Sequence, residues 1–187
     1  MNGGRLFYVM GPSGAGKDAL LGYARERLGD SPASVLFAHR YITRPESAGG
    51  ENHIALSLSE FAVRKAHGLF ALDWDSHGCR YGVGIEIDTW LDAGCDVVMN
   101  GSRAHLSRAV KRYDGRLHLV VIHVDTAVRA ARLASRGREA GEALAQRVAH
   151  AVEWTPPAGV PLTRIANNGT LAAAGETLVD LLVERST

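Results

Sequence analysis

Leu6-Phe7-Tyr8-Val9-Met10-Gly11-Pro12-Ser13-Gly14-Ala15-Gly16-Lys17-Asp18 decides the fold of this chain. Five apolar residues read as a buried strand. They run into a glycine-rich turn, and the turn opens onto apolar Leu20, Leu21, Ala24 and Leu28 at helical spacing. Strand, glycine loop ending in lysine, then helix is the context that a phosphate-binding loop requires. Across Gly11, Pro12, Ser13, Gly14, Ala15 and Gly16 the backbone can turn tightly enough to aim successive N–H groups at phosphate oxygens. The helix N-terminus adds its partial positive charge. Lys17 would reach the β- and γ-phosphates of a bound ATP. The bland alternative is a glycine-rich turn beside a surface lysine, and the agreement of all three parts outweighs it.

One position departs from the pattern. A Ser or Thr normally follows the lysine and holds Mg2+, whereas this chain has Asp18 and then Ala19. Asp18 is open to two readings. It is a carboxylate ligand for the metal or its water shell, or an acid favoured by the helix dipole.

Outward from the loop, short apolar runs alternate with amphipathic segments, which predicts an α/β fold. Strands are expected at Leu6–Met10, 35–38, 69–74, 80–83, 97–99, 117–124 and Leu162–Ala166. Helices are expected at Lys17–Leu28, 85–92, 104–113, 128–135, 141–154 and Leu171–Val183. Ser57 and Glu60 make a capping box for a further helix through His67. Two polar stretches, 40–54 and 136–141, interrupt the rhythm, and such interruptions are where ligands are usually handled.

The 187 residues suit one domain, 1–187, with enough apolar content (46%) for a sizeable core. A net charge of +1 without charge runs argues against a nucleic-acid or acidic-membrane surface. Cys79 and Cys95 form no CxxC pair, no signal peptide is visible and no run is long enough to span a bilayer, so a reduced cytoplasmic protein is expected. Trp74, Trp90 and Trp154 read as packing residues, and the histidines show no metal-ligand spacing.

Assembled, these segments resemble the guanylate-kinase-like family of nucleoside monophosphate kinases over nearly the whole chain. The shared runs are 11–17, Thr43-Arg44-Pro45, Gly50-Glu51, Tyr81-Gly82, Arg136-Gly137-Arg138 and Arg147. Within that family the chain is most similar to the bacterial ribose 1,5-bisphosphate phosphokinases. The distinguishing runs are 11–18 with its Asp18, Arg40-Tyr41-Ile42-Thr43-Arg44-Pro45, Gly50-Glu51-Asn52-His53, Tyr81-Gly82-Val83 and Asn100-Gly101-Ser102-Arg103. Three positions at which guanylate kinases read guanine fall here on Arg40, Leu72 and Asn100. A site without those polar partners would leave guanine N–H donors unpaired, while an added arginine suits a second phosphate.

The resemblance implies a three-layer fold with a mainly parallel central sheet. It implies a small acceptor-binding insertion at about 38–92 and a short lid at about 136–147. It further implies that Arg44 and Tyr81 hold the acceptor phosphate, and that Arg136 and Arg147, with Arg138 less strongly, close over ATP. His53 lies near the family's phosphate-binding tyrosine and reads equally as a polar loop histidine. Asn100 and Arg103 close a strand facing the expected site. Adenine against Asn167 and Asn168 is one reading of that pair, and a turn is the other.

The implied reaction is ATP plus ribose 1,5-bisphosphate giving ADP plus 5-phosphoribosyl 1-diphosphate, with Mg2+ and no general base, because the attacking phosphate oxygen is already ionised. A phosphorylated sugar is the expected partner of a monomer or homodimer, with no nucleic acid or membrane, and phosphonate breakdown is the implied context. The rival readings are a guanylate or other nucleoside monophosphate kinase, a non-catalytic binding module of the same fold, and a kinase of another phosphorylated sugar.

Overall fold

The computed structural model describes residues 3–29, 33–48, 52–135 and 154–184. In chain order the elements are β1 Leu6–Met10, α1 Lys17–Leu28, β2 Val35–Phe37, β3 Arg40–Ile42, β4 His53–Ala55, α2 Leu58–Ala66, β5 Phe70–Ser76 and β6 Cys79–Gly84. They continue with α3 Glu86–Asp92, β7 Asp96–Asn100, α4 Leu106–Arg112, β8 Leu117–His123, α5 Thr126–Ser135, β9 Leu162–Ala166 and α6 Leu171–Val183.

Five strands in the order β2-β7-β1-β8-β9 pair in parallel. Parallel strands need crossover helices on both faces, so the middle strand should be buried on both sides. All five residues of β1 are buried. Alternate side chains serve different cores, as the two-residue period of a strand requires. Leu6, Tyr8 and Met10 join Ile87 and Leu91 of α3 and Leu106 and Ala109 of α4. Phe7 and Val9 join Leu20, Ala24 and Leu28 of α1 and Leu178 and Leu182 of α6. The result is the three-layer sandwich expected from the sequence.

A second sheet, in the order β4-β3-β6-β5, lies between β2 and α3 in sequence. Its β3–β4 pair is parallel and the other two pairs are antiparallel. Here the structure corrects the reading of 40–54 as an irregular polar loop. That stretch contains β3, a 3₁₀ turn at Glu46–Ala48 and most of β4. The strands are three residues long and carry Arg40 and His53, so no apolar alternation marks them. The helix expected at 104–113 also divides, into a 3₁₀ turn at Arg103–His105 and α4. Of the helix expected at 141–154 only Trp154 is described, and it is in neither helix nor strand.

Half of the expected capping box forms. Ser57 Oγ accepts from Glu60 N at 3.1 Å, while the Glu60 carboxylate turns to Arg64 one turn on. The two faces of the second sheet differ. Phe61 of α2 stacks on Phe70, with centroids 4.6 Å apart, and Phe70 packs on Tyr41, covering one face. Ile42, Leu72, Trp74, Tyr81 and Val83 of the other face share a core with Leu6, Tyr8 and Met10 of β1. This common core fixes the second sheet against the end of the phosphate loop.

Gly11 sits where β1 leaves the central sheet. A Cβ there would lie 2.4 Å from the Ile122 carbonyl oxygen of β8. Gly11→Ala is therefore expected to destabilise the fold by about 1–3 kcal/mol through overpacking against backbone. A thermal or denaturant midpoint unchanged from the parent would refute this.

Candidate functional site

The loop between β1 and α1 takes its shape from two residues. Gly14 has φ 83° and Gly16 has φ 85°, left-handed values that strain any side-chain-bearing residue. The loop is then braced from outside. Asn167 Nδ2 donates to the Ala15 carbonyl at 2.8 Å, and Arg129 Nε donates to the Ser13 carbonyl at 2.8 Å. Both side chains are buried, 3% and 7% exposed, so these contacts act in a low-dielectric setting. Lys17 Nζ folds back over its own loop, donating to the carbonyls of Gly11 at 3.0 Å and Pro12 at 3.2 Å. The cradle fits a polyphosphate: a concave backbone, a helix N-terminus and an ammonium group coincide.

Asp18, in the first turn of α1, accepts from Asn100 Nδ2 at 2.7 Å through Oδ1. Asn100 is the last residue of β7, so this bond ties the phosphate-loop helix to the neighbouring strand end. As a hard oxygen donor beside the cradle, Asp18 suits Mg2+, which is usually held by one or two carboxylates with phosphates and water. No group of three or more metal-ligating side chains occurs among the described residues.

The positions expected to meet the acceptor come together through strand register. His53 pairs with Arg40, Arg40 with Val83, and Val83 with Leu72, one cross-strand row over four strands. Two residues along, Ile42, Tyr81 and Trp74 form the next row on the same face. Arg40 stands over the Tyr81 ring at 5.4 Å, and Tyr81 stacks on Trp74, with centroids 5.6 Å apart. The Arg40 charge also reaches Tyr8, whose buried phenol is pushed up to about 12 by desolvation against that charge and a backbone hydrogen bond. His53 is 4% exposed, and its Nε2–H donates to the Arg44 carbonyl at 3.2 Å. The histidine thus fixes the backbone that carries Arg44. Leu72 is 5% exposed and part of the apolar core, so this position offers no polar group to a ligand.

Arg103 lies beyond β7, and its pKa is lowered first by burial and then by the charge of Arg129. Arg132 Nη1 lies 3.7 Å from where a Cβ on Gly16 would be. Lys17, Arg103, Arg129 and Arg132 therefore concentrate positive charge around the loop of a chain whose net charge is only +1. Arg136, Arg138 and Arg147, the expected lid arginines, lie outside the described residues, as do Gly50 and Glu51.

Arg129 was not legible as a loop brace from sequence. The signal available was an arginine in the first turn of an amphipathic helix, a placement common on surfaces. Asn167 and Asn168, open to an adenine reading, have other partners here. Asn167 holds Ala15, and Asn168 Oδ1 accepts from Asp125 N at 2.8 Å. Asn167→Leu is expected to orphan the Ala15 carbonyl, to cost about 1–3 kcal/mol and to weaken nucleotide binding. Calorimetric titration with ATP beside a melting curve checks both. An unweakened ATP affinity in a destabilised protein would confine Asn167 to folding.

No protein-family model matches the chain. Among curated proteins, ribose 1,5-bisphosphate phosphokinase PhnN of Thiobacillus denitrificans is 54% identical over 182 residues, covering 97% of this chain and 94% of that protein. The protein of the same name from Burkholderia pseudomallei is 55% identical over 184 residues and covers 97% of each. Among solved structures, guanylate kinase from Anaplasma phagocytophilum aligns at a TM-score of 0.68, covering 97% of this chain and 85% of that one. Its 12% identity makes the likeness one of fold. The Mycobacterium tuberculosis APS kinase CysC aligns at 0.51 with 15% identity over 97% and 99% of the two chains. Identity above one half across nearly the full length of both partners, on a P-loop kinase fold, places this chain in the ribose 1,5-bisphosphate phosphokinase family.

Proposed function

We infer that this chain transfers the γ-phosphoryl group of ATP to the 1-phosphate of ribose 1,5-bisphosphate, giving ADP and 5-phospho-α-D-ribose 1-diphosphate. The observation that carries the reading is the 54–55% identity to two proteins of that name over nearly whole chains. The phosphate cradle and the Arg40 row agree with it. An oxygen of the acceptor 1-phosphate forms the new bond to the γ-phosphorus. The bond from that phosphorus to the bridging oxygen breaks, and ADP leaves with the electron pair. The attacking oxygen is ionised near neutral pH, so no side chain has to remove a proton.

The protein then contributes position and charge. Lys17 leaves its loop carbonyls for the β- and γ-phosphates. Arg44, with His53 holding its backbone, and Tyr81 take one acceptor phosphate, and Arg40 takes the other. Arg103 adds charge from the end of β7, while Asn100 meets the sugar. Asp18 would hold Mg2+ or its water shell, and the ion would supply charge neutralisation to the nucleotide phosphates. Arg136 and Arg147 belong to a lid at about 136–147 that excludes water. The acceptor-binding insertion is the second sheet, within 38–92. The proposed setting is the cytoplasm, in phosphonate breakdown, as a monomer or homodimer. No helix among the described residues is long and apolar enough to cross a membrane.

A guanylate kinase activity is the reading to beat, given the fold. Leu72 counts against it, because a buried apolar side chain cannot accept from guanine N–H groups. Coupled ADP release with ribose 1,5-bisphosphate and GMP in parallel decides between them. Turnover with the bisphosphate at least about 10²-fold above GMP is expected, in the range a site with unmatched polar groups produces. Preferential GMP turnover overturns the reading, and ATP binding without turnover of either would point to another acceptor.

A further inference from the structure

Asn100 carries two amide atoms in unlike situations. Nδ2 donates to Asp18 Oδ1 at 2.7 Å, and because a carboxylate only accepts, the orientation of the amide is fixed. Oδ1 is buried and has no hydrogen-bond partner. The residue is 6% exposed, so this acceptor is largely shielded from bulk solvent. Nor can the backbone shift to relieve it. Gly101 N donates to the Val9 carbonyl at 2.7 Å, and Tyr8 Oη both donates to Ser102 O at 2.8 Å and accepts from Ser102 N at 2.9 Å. A Cβ on Gly101 would lie 2.1 Å from the Tyr8 ring. The strand end is clamped with one unsatisfied acceptor.

The pairing also constrains which residues fit. A carboxylate at 18 demands a donor at 100. An acid at 100 would set two carboxylates in contact, which is unfavourable. A serine at 18 would reverse the bond, donating its hydroxyl to an acid at 100. The residues at 18 and 100 are thus chemically linked although 82 positions apart.

We propose that Asp18 and Asn100 are a matched pair, in which Asp18 holds the Asn100 amide so that its neutral carbonyl oxygen receives a hydroxyl of the phosphorylated sugar. The proposal deepens the acceptor reading above and rests on it. Residue 18, on the nucleotide side, sets the orientation, and residue 100 sets part of the acceptor specificity. A neutral acceptor suits a ligand with two phosphates, which an acid at 100 would repel. A leucine there could not receive the hydroxyl at all.

The test uses the full chain with Asn100→Asp, Asp18→Ser, their combination and Asn100→Leu. Thermal midpoints come first, since they need no acceptor. Asn100→Asp is expected to lower the midpoint by about 4 °C or more, and the combination to recover at least half of that loss, as a reversed hydrogen bond should. A combined loss equal to the sum of the singles overturns the pairing. Kinetics with ribose 1,5-bisphosphate follow. Asn100→Leu should raise KM about tenfold with kcat within about threefold, and the stability-rescued combination should keep a raised KM. A KM within twofold of the parent in Asn100→Leu overturns the specificity role. If the parent protein turns over no ribose 1,5-bisphosphate, the functional reading and the specificity role fail together, while the midpoints still decide the pairing.

Discussion

Lys17→Ala should lower turnover about a thousandfold while leaving the protein folded. The ammonium group donates to the carbonyls of Gly11 and Pro12, at 3.0 and 3.2 Å, on a half-buried loop. Losing those bonds costs about 1 kcal/mol, because water can replace part of them. Losing the cation proposed to meet the transferring phosphoryl group would cost far more, since the charge that develops there would have no substitute of the same reach. Lys17→Arg should not rescue, because a planar fork on a longer stem cannot put a point charge in the same turn. ADP release at saturating ATP, beside a melting curve, measures both effects. Residual turnover above a tenth of the parent would remove Lys17 from the chemistry.

Arg44→Ala is expected to raise KM for the phosphorylated acceptor about a hundredfold, with a much smaller change in kcat. Its backbone is pinned by the buried His53 ring, so the guanidinium is presented from a fixed base and loses little freedom on binding. The partner left behind would be a phosphate with two charges. His53→Leu, which frees that backbone while sparing the guanidinium, should move KM in the same direction by a smaller factor. If Arg44→Ala lowers kcat and leaves KM unchanged, the arginine acts on the transferring group and not on acceptor binding.

How far the sequence could be read depended on the range of each interaction. The phosphate loop was legible because strand, glycines, lysine and helix lie within thirteen consecutive residues, and every part is local. β1, α1, β9 and α6 have the bounds that periodicity predicts, since apolar spacing is written along the chain. The second sheet was half legible. β5 and β6 were expected, whereas β3 and β4 carry too few residues and too many polar ones to show a period. They are strands because β6 supplies hydrogen bonds to β3, and β3 to β4, across more than ten residues of chain. The bracing roles of Arg129 and Asn167 escaped notice for the same reason, as each braces a carbonyl more than a hundred residues away.

By itself, the sequence determined the layered α/β architecture, the phosphate cradle and the set of charged side chains available to an anionic ligand. Those follow from local geometry and composition. Only the tertiary structure decided that Arg40, His53, Leu72 and Val83 share one row, that His53 serves the backbone of Arg44, and that Asp18 and Asn100 are hydrogen-bonded. Register and crossover connections set these neighbours, and both arise when sheets pack on a common core rather than from any run of adjacent residues.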